Sequence, residues 1–241
     1  MALPVLHSTG MSETSPSTSV SGVVSKDKIP EGSVIIPEFI SQMKKFFALL
    51  PQHEEWQIAN FGPQQPYQML YLGMGEEFGE LKHSILKGCQ GIRGTKEEHT
   101  AAVRDAIADV GIYAMGYMES CNIRSYSEIV RAYPGITTFS NYTSSMVIPP
   151  EEDANHHALA KYRETFPNII QVMDLLPHID SFLTSLGKSP APEICLGLLR
   201  SLDYLSCLFF GERIMTLVEE TFHREVQKRD WKKHPGNGVS V

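Results

Sequence analysis

Hydrophobic residues recur at three- and four-residue intervals over most of the chain from about residue 36 onward, a spacing typical of amphipathic helices. The first predicted helix extends from Phe39 to Phe61, and Pro51 is expected to break or kink it. No stretch shows a convincing β-strand pattern, and no internal repeat is visible. The pattern therefore predicts an all-α fold, a bundle of about four to six helices.

Two further helices follow, joined by a loop rich in glycine. The second extends from Pro66, a residue favoured in a first helical turn, to Lys87, and glycines at positions 88 and 91 are expected to end it. The third begins after Thr95, which forms a capping box with Glu98, and ends near Cys121. A loop of this length favours an antiparallel pair of helices.

The remainder of the chain is less regular. Residues 125–150 lose the helical spacing, and a weaker helical pair over 151–186 is expected to be interrupted at Pro167 and Pro177. The final helical region, from Glu193 to Asp230, is expected to break at Gly211. The predicted organisation is a flexible N-terminal tail (1–35), core helices with a metal-binding motif (36–124), an insertion or connector (125–192), C-terminal helices that complete the bundle (193–235) and a short tail (236–241).

The composition narrows the class of protein. The 241 residues are 42% hydrophobic and 20% charged with a formal net charge of −7, which is typical of a soluble domain and argues against a non-specific nucleic-acid binder. The four cysteines show no Cys-x-x-Cys spacing, so structural zinc is not expected and reduced thiols suit the cytoplasm. No apolar run reaches the roughly 18 residues that span a bilayer, and no secretory signal is visible, so no membrane partner is expected.

Acidic residues concentrate on two of the predicted helices. Glu76, Glu77 and Glu80 fall within about one turn of the second helix, and Asp105 and Asp109 are about one turn apart on the third. In an antiparallel pair these carboxylates face each other, and their mutual repulsion raises some of their pKa values or recruits a divalent cation. Oxygen ligands without cysteine favour Mg²⁺, with Mn²⁺ as an alternative, over zinc.

These motifs resemble those of the all-α MazG-like nucleotide pyrophosphohydrolases. The family pattern is Glu-Glu-x-x-Glu followed by Glu-x-x-Asp, and this chain has the sequence EEFGE at 76–80 and DAIAD at 105–109. Ala106 stands where the family has the glutamate of its second motif. Asp105 lies on the same helix face relative to Asp109, so it could substitute for that glutamate.

The resemblance covers residues 38–124 well and 211–235 loosely, and it implies an activity. Mg²⁺ would bind the triphosphate of a nucleotide, and water would attack phosphorus to release pyrophosphate and a nucleoside monophosphate. It also implies a homodimer or homotetramer. The implied metal ligands are Glu77, Glu80, Asp105 and Asp109, and the implied catalytic residues are Glu76, Glu77, Glu80 and Asp109.

Basic and aromatic residues around the motifs are candidates for substrate binding. Guanidinium and ammonium groups bind phosphate oxygens, and an indole ring can stack on a base. A packing role for Trp56 and a solvated helix end at Lys228 remain open alternatives. The candidate substrate-binding residues are Trp56, Asn60, Lys87, Arg93, Lys228 and Arg229.

Two other functions fit parts of the sequence. Glu80-Leu-Lys-His83 and Glu220-Thr-Phe-His223 both have the Glu-x-x-His spacing of ferritin-like di-iron carboxylate proteins. That hypothesis leaves the glycine-rich loop without a role. The third possibility is a non-catalytic helical scaffold that binds a nucleotide or a partner, which Ala106 and the long insertion suggest.

Overall fold

Within the residues that the computed structural model describes, which are 37–133, 154–236 and 238–239, the chain consists of helices and the loops between them. This confirms the predicted all-α bundle. The predicted N-terminal tail, residues 134–153 of the predicted connector and part of the C-terminal tail lie outside the described residues. The helices are α1 (Pro37–Phe61), α2 (Tyr67–Gln90), α3 (Lys96–Ser120), α4 (Tyr126–Ala132), α5 (Ala154–Ala160), α6 (Ile169–Leu186), α7 (Pro192–Phe210) and α8 (Ile214–Arg224), followed by a 3₁₀ turn at Val226–Lys228.

The central helix is α3, which packs against α1, α2, α7 and α8. Most of its residues are buried because small and apolar side chains occupy nearly all of its faces. Two glycines permit close contacts: Gly73 of α2 leaves room for the ring of Tyr113, and Gly111 of α3 leaves room for Val218. A β-carbon at either glycine would collide with these side chains, so the glycines hold α2 and α8 close to α3.

Local capping interactions fix where α2 ends and where α3 begins. Gly91 has a left-handed φ of 63° and ends α2, whereas Gly88 lies inside the helix. The predicted capping box of α3 is confirmed: the Glu98 N–H donates to Thr95 Oγ1 at 3.2 Å, and the Thr95 N–H donates to Glu98 Oε2 at 2.7 Å. The two carboxylate motifs therefore lie on adjacent helices, as the sequence predicts.

Of the three prolines expected to interrupt a helix, Pro167 lies between α5 and α6 as predicted, whereas Pro51 and Pro177 do not end a helix. Pro51 lies inside α1 and Pro177 lies inside α6. A proline in a helix interior costs roughly 3 kcal/mol. Phe47 and Leu50 before Pro51 and His53 after it are all buried, so burial on both sides of the proline outweighs the lost backbone hydrogen bond.

The predicted connector begins with a helix that the spacing of apolar residues does not reveal. Ser125 and Glu128 form a second capping box, in which the Glu128 N–H donates to Ser125 Oγ at 3.2 Å. The Ser125 N–H donates in turn to Glu128 Oε2 at 3.0 Å. Ile129 is the buried anchor of this short helix, α4.

The break predicted at Gly211 is confirmed. Gly211 has a left-handed φ of 68° and ends α7. Asp203 fixes the turn into α8, since its carboxylate accepts from the Ile214 N–H at 3.0 Å and pairs with the Arg213 guanidinium at 2.6 Å. In the described part of the chain, no single helix combines the length and apolarity needed to cross a membrane; the segments 192–210 and 214–228 meet those criteria only as a pair, bent by 89°.

Candidate active site

A cavity of about 250 Å³ lies among α1, α2, α3 and the segment that follows α8. Its aromatic and apolar lining residues are Trp56, Phe61, Met69, Tyr113, Val226 and Trp231. Its polar and charged lining residues include His53, Gln57, Glu77, Asp109 and Arg229. The cavity therefore has both aromatic rings and ionisable groups in its wall.

The carboxylates of Glu77 and Asp109 line this cavity from opposite helices of the α2–α3 hairpin. Burial, and then the charges of Asp109 and Glu80, raise the pKa of Glu77 to about 8. Burial, and then the charge of Asp105, raise the pKa of Asp109 to about 7, although Arg229 opposes this shift. The four carboxylates proposed as metal ligands thus lie within one electrostatic cluster, two of them in the cavity wall.

The remaining acids of the two motifs lie outside the cavity wall. Glu76, Glu80 and Asp105 are exposed and do not line the cavity. Desolvation by the surrounding protein raises the pKa of Asp105, and the charge of Glu225 raises it further. Ala106 is only 3% exposed and packs into the core, so Asp105 is the neighbouring acid that can reach the cluster.

The donor set fits a hard divalent cation in chemistry but is not preassembled. All four side chains offer carboxylate oxygens, and their mutual repulsion would be relieved by Mg²⁺. Among the described residues, however, no three His, Cys, Asp or Glu side chains form a group that could hold a metal ion as they stand. Cation binding would therefore have to draw Glu77, Glu80 and Asp109 together.

This arrangement predicts opposite effects of pH on the metal-free and Mg²⁺-loaded proteins. Because their pKa values are raised, the carboxyls of Glu77 and Asp109 keep their protons in the folded state over a wide pH range. This range extends from 4.5 to about 8 for Glu77 and from 3.8 to about 7 for Asp109. The unfolded chain loses those protons at lower pH. The free energy of unfolding of the metal-free protein should therefore fall as pH rises through this window.

Mg²⁺ requires the ionised carboxylates, so the increase in melting temperature on adding MgCl₂ should be larger near pH 8 than near pH 5. Thermal unfolding followed by circular dichroism, with and without chelator, measures both effects. The Glu77→Gln protein is the control and should show a weaker pH dependence. An equal gain from Mg²⁺ at both pH values would contradict the interpretation.

Trp56 and Asn60 connect α1 to the segment after α8. The indole N–H of Trp56 donates to the backbone oxygen of Arg229 at 3.1 Å. The Asn60 amide donates to the backbone oxygen of Trp56 at 2.9 Å and accepts from the Trp231 N–H at 2.7 Å. Asn60 therefore docks the C-terminal segment and does not line the cavity, whereas the ring of Trp56 is part of the cavity wall.

The basic residues predicted to bind substrate do not all lie at the cavity. Arg229 lines the cavity, and its guanidinium lies 5.9 Å from the Trp231 ring. Lys228 lines an adjoining open groove instead. Lys87 Nζ donates to Gln90 Oε1 at 3.1 Å, and Arg93 is exposed in the loop after α2. Neither Lys87 nor Arg93 lines the cavity, so Arg229 is the predicted cation that the structure brings to the carboxylates.

A buried polar cluster in the cavity wall was not identified from the sequence. His53 Nδ1 lies 3.0 Å from Glu119 Oε1, and the Gln57 amide donates to Glu119 Oε2 at 3.4 Å. Burial raises the pKa of Glu119, and the contact with His53 opposes that shift. The helical spacing does indicate that these side chains are buried, because residues 53 and 57 lie on the same buried helix face as Phe46 and Leu50.

The two Glu-x-x-His motifs do not form a di-iron site among the described residues. His83 and His223 are exposed. Glu220 pairs with Arg104 at 2.9 Å, and His223 Nδ1 lies 3.1 Å from Gln227 Oε1. The two histidines therefore lie on exposed faces of α2 and α8.

Compared with known proteins, the chain matches no family model, no curated protein and no solved structure. The cavity and the side chains that line it are therefore the features that indicate a function.

Proposed function

We propose that the protein hydrolyses a nucleoside triphosphate between its α and β phosphates, with Mg²⁺, to a nucleoside monophosphate and pyrophosphate. The observation that carries this proposal is that Glu77 from α2 and Asp109 from α3 line one cavity together with aromatic rings. A nucleotide combines the same two chemistries, since a flat base is joined through the sugar to charged phosphates. The cavity volume is a little below the usual range for ligand pockets, which starts at about 300 Å³.

The proposed cation ligands are Glu77, Glu80 and Asp109, with Asp105 in the place of the family's second-motif glutamate. When bound, Mg²⁺ supplies positive charge that neutralises the carboxylates and the phosphate oxygens, and it lowers the pKa of a coordinated water. The raised pKa values of Glu77 and Asp109 support this role, because burial and then neighbouring acids disfavour their ionised forms, which a bound cation would stabilise.

In the proposed reaction, a water oxygen attacks the α-phosphorus. The bond from this phosphorus to the oxygen that bridges to the β-phosphorus breaks, and its electron pair leaves with pyrophosphate. The attacking water loses a proton to a carboxylate and then to solvent. Glu76, exposed beside Glu77, is the residue proposed to orient the water and accept this proton, as the family resemblance implies.

The aromatic residues of the cavity wall are proposed to bind the base and sugar. Trp56 and Phe61 meet edge to face, with ring centroids 5.7 Å apart, so the exposed face of one ring at a time is available for stacking. His53 and Gln57 are polar groups of the same wall that can hydrogen-bond the base edge. Arg229 is the cation proposed to contact phosphate oxygens.

A panel of canonical and modified nucleoside triphosphates, assayed for pyrophosphate with Mg²⁺ and with chelator, tests the proposal. We expect pyrophosphate from at least one substrate and loss of the signal with chelator. A triphosphate with a methylene bridge between the α and β phosphates is the control and should not react. Release of orthophosphate without pyrophosphate, or no turnover of any substrate, would contradict the proposed function.

A further inference from the structure

Three buried side chains form a hydrogen-bonded cluster at the cavity: His53 and Gln57 of α1 and Glu119 of α3. They are 2%, 7% and 6% exposed, respectively. His53 and Gln57 line the cavity, and Glu119 lies behind them, outside its lining. One oxygen of the Glu119 carboxylate lies 3.0 Å from His53 Nδ1, and the other accepts from the Gln57 amide at 3.4 Å. A nitrogen at each oxygen favours the ionised carboxylate.

This cluster determines which polar atoms of the cavity wall remain for a ligand. An ionised carboxylate accepts hydrogen bonds and donates none, so the contact with Glu119 places the imidazole proton of His53 on Nδ1. Nε2 of the neutral ring is then an acceptor, and no described residue donates to it. Glu119 holds the amide nitrogen of Gln57, which leaves Gln57 Oε1 as a second acceptor without a described donor. The two acceptors come from adjacent turns of α1.

Gly116 of α3 makes room for both side chains. A β-carbon at this position would lie 2.5 Å from Gln57 Oε1 and 3.4 Å from the His53 ring. The imidazole also lies next to Trp56, with ring centroids 5.8 Å apart. A base that stacks on Trp56 would therefore have its edge beside His53.

The nucleobases differ in what they present to two neighbouring acceptors. Guanine has two N–H donors side by side, at N1 and at the amino group on C2. Hypoxanthine has the N1–H alone, whereas adenine and cytosine have a ring acceptor beside their amino group. Uracil and thymine have one N–H between two carbonyl oxygens. Guanine is therefore the common base whose edge supplies a separate donor to each acceptor.

We propose that the cavity selects guanine nucleotides, with the N1–H and the 2-amino group donating to His53 Nε2 and Gln57 Oε1, an assignment that rests on the proposed function and names its substrate class. Glu119 does not touch the base and is a positioning residue, because its carboxylate sets the orientation of both acceptors. The selection arises because other bases leave a buried acceptor without a donor.

Binding of non-hydrolysable nucleotides tests the base preference separately from catalysis. The probes are triphosphates with a methylene bridge between the α and β phosphates, titrated with Mg²⁺ by isothermal calorimetry. The guanosine analogue should bind at least about tenfold more tightly than the inosine analogue, which lacks only the 2-amino group. The adenosine and uridine analogues should also bind more weakly than the guanosine analogue. Equal affinity for the guanosine and inosine analogues, or binding of none of the four, would overturn the proposal.

The Glu119→Gln protein tests the positioning role. An amide has one acceptor and one donor group, so it cannot accept from both His53 and Gln57. One of these two side chains must then present a donor to the cavity, and the preference for the guanosine over the inosine analogue should fall below about threefold. Glu97→Gln, at an exposed position of the same helix, is the control and should keep the parent's preference. An undiminished preference in folded Glu119→Gln would remove Glu119 from this role.

The comparison of analogues on the parent protein does not depend on any variant, and its outcome is separable from that of the proposed function. Tight binding of the guanosine analogue without release of pyrophosphate from any triphosphate would overturn the proposed function and leave the base assignment standing. Release of pyrophosphate with equal kcat/KM from guanosine and inosine triphosphates would leave the function standing and overturn the base assignment.

Discussion

The Asp109→Asn protein should lose Mg²⁺-dependent hydrolysis of its nucleoside triphosphate by about 100- to 1,000-fold, the usual scale for one group that stabilises charge in a transition state. Asparagine keeps the size of the side chain but removes the negative charge that binds a cation. Asp109 lies on the central helix and lines the cavity, whereas Asp105, the other acid of its motif, does not line it. Initial rates of pyrophosphate release at saturating Mg²⁺ measure the effect.

The same substitution should leave the protein folded. Burial raises the pKa of Asp109 to about 7, which means that the folded state holds this negative charge unfavourably. A neutral amide removes that cost, so the free energy of unfolding near pH 8 should not decrease. Asp180→Asn is the matched control, because Asp180 is an exposed partner of Lys82, 2.9 Å away. Rates close to those of the parent in Asp109→Asn would show that the site is misplaced.

The Arg229→Ala protein should lose about 100-fold in kcat/KM, mainly through a higher KM, if the guanidinium binds phosphate oxygens. The backbone oxygen of Arg229 accepts the hydrogen bond from Trp56, so removal of the side chain leaves this docking contact in place. Arg229 also holds down the pKa of Asp109, so the pH profile of the variant should shift to higher pH. Steady-state kinetics over a range of pH measure both effects.

Arg229→Lys should recover part of the loss, because it restores the charge without the planar pair of donors. Arg131→Ala is the control, since Arg131 is an exposed arginine on α4 that does not line the cavity. An unchanged KM in Arg229→Ala would remove Arg229 from the proposed substrate site. Equal losses in both alanine variants would point to a general effect of charge.

Local patterns in the sequence predict the elements that depend on neighbouring residues. The capping box at Thr95 and the left-handed glycine at 211 act through backbone groups a few residues away, and both are found as predicted. The effect of Pro51 depends on what the rest of the bundle buries on either side of it. The sequence around Pro51 favours a break, and tertiary packing reverses that preference.

The same distinction separates the parts of the candidate site. The spacing within α2 and within α3 predicts that Glu77 and Asp109 lie on adjoining faces, and both line the cavity. The partners of Asn60 and His53 lie far away along the chain, at Trp231 and Glu119. No local spacing identifies such pairs, so the sequence predicts a substrate contact for Asn60 and does not predict the His53 cluster.

The most direct test is a titration with Mn²⁺ followed by electron paramagnetic resonance, in the parent and in Asp109→Asn. The parent should bind Mn²⁺ at a site from which Mg²⁺ displaces it, and the variant should lose this binding while remaining folded. Mn²⁺ binding of equal strength in both proteins, or none in the parent, would contradict the claim that carboxylates from α2 and α3 form one divalent-cation site.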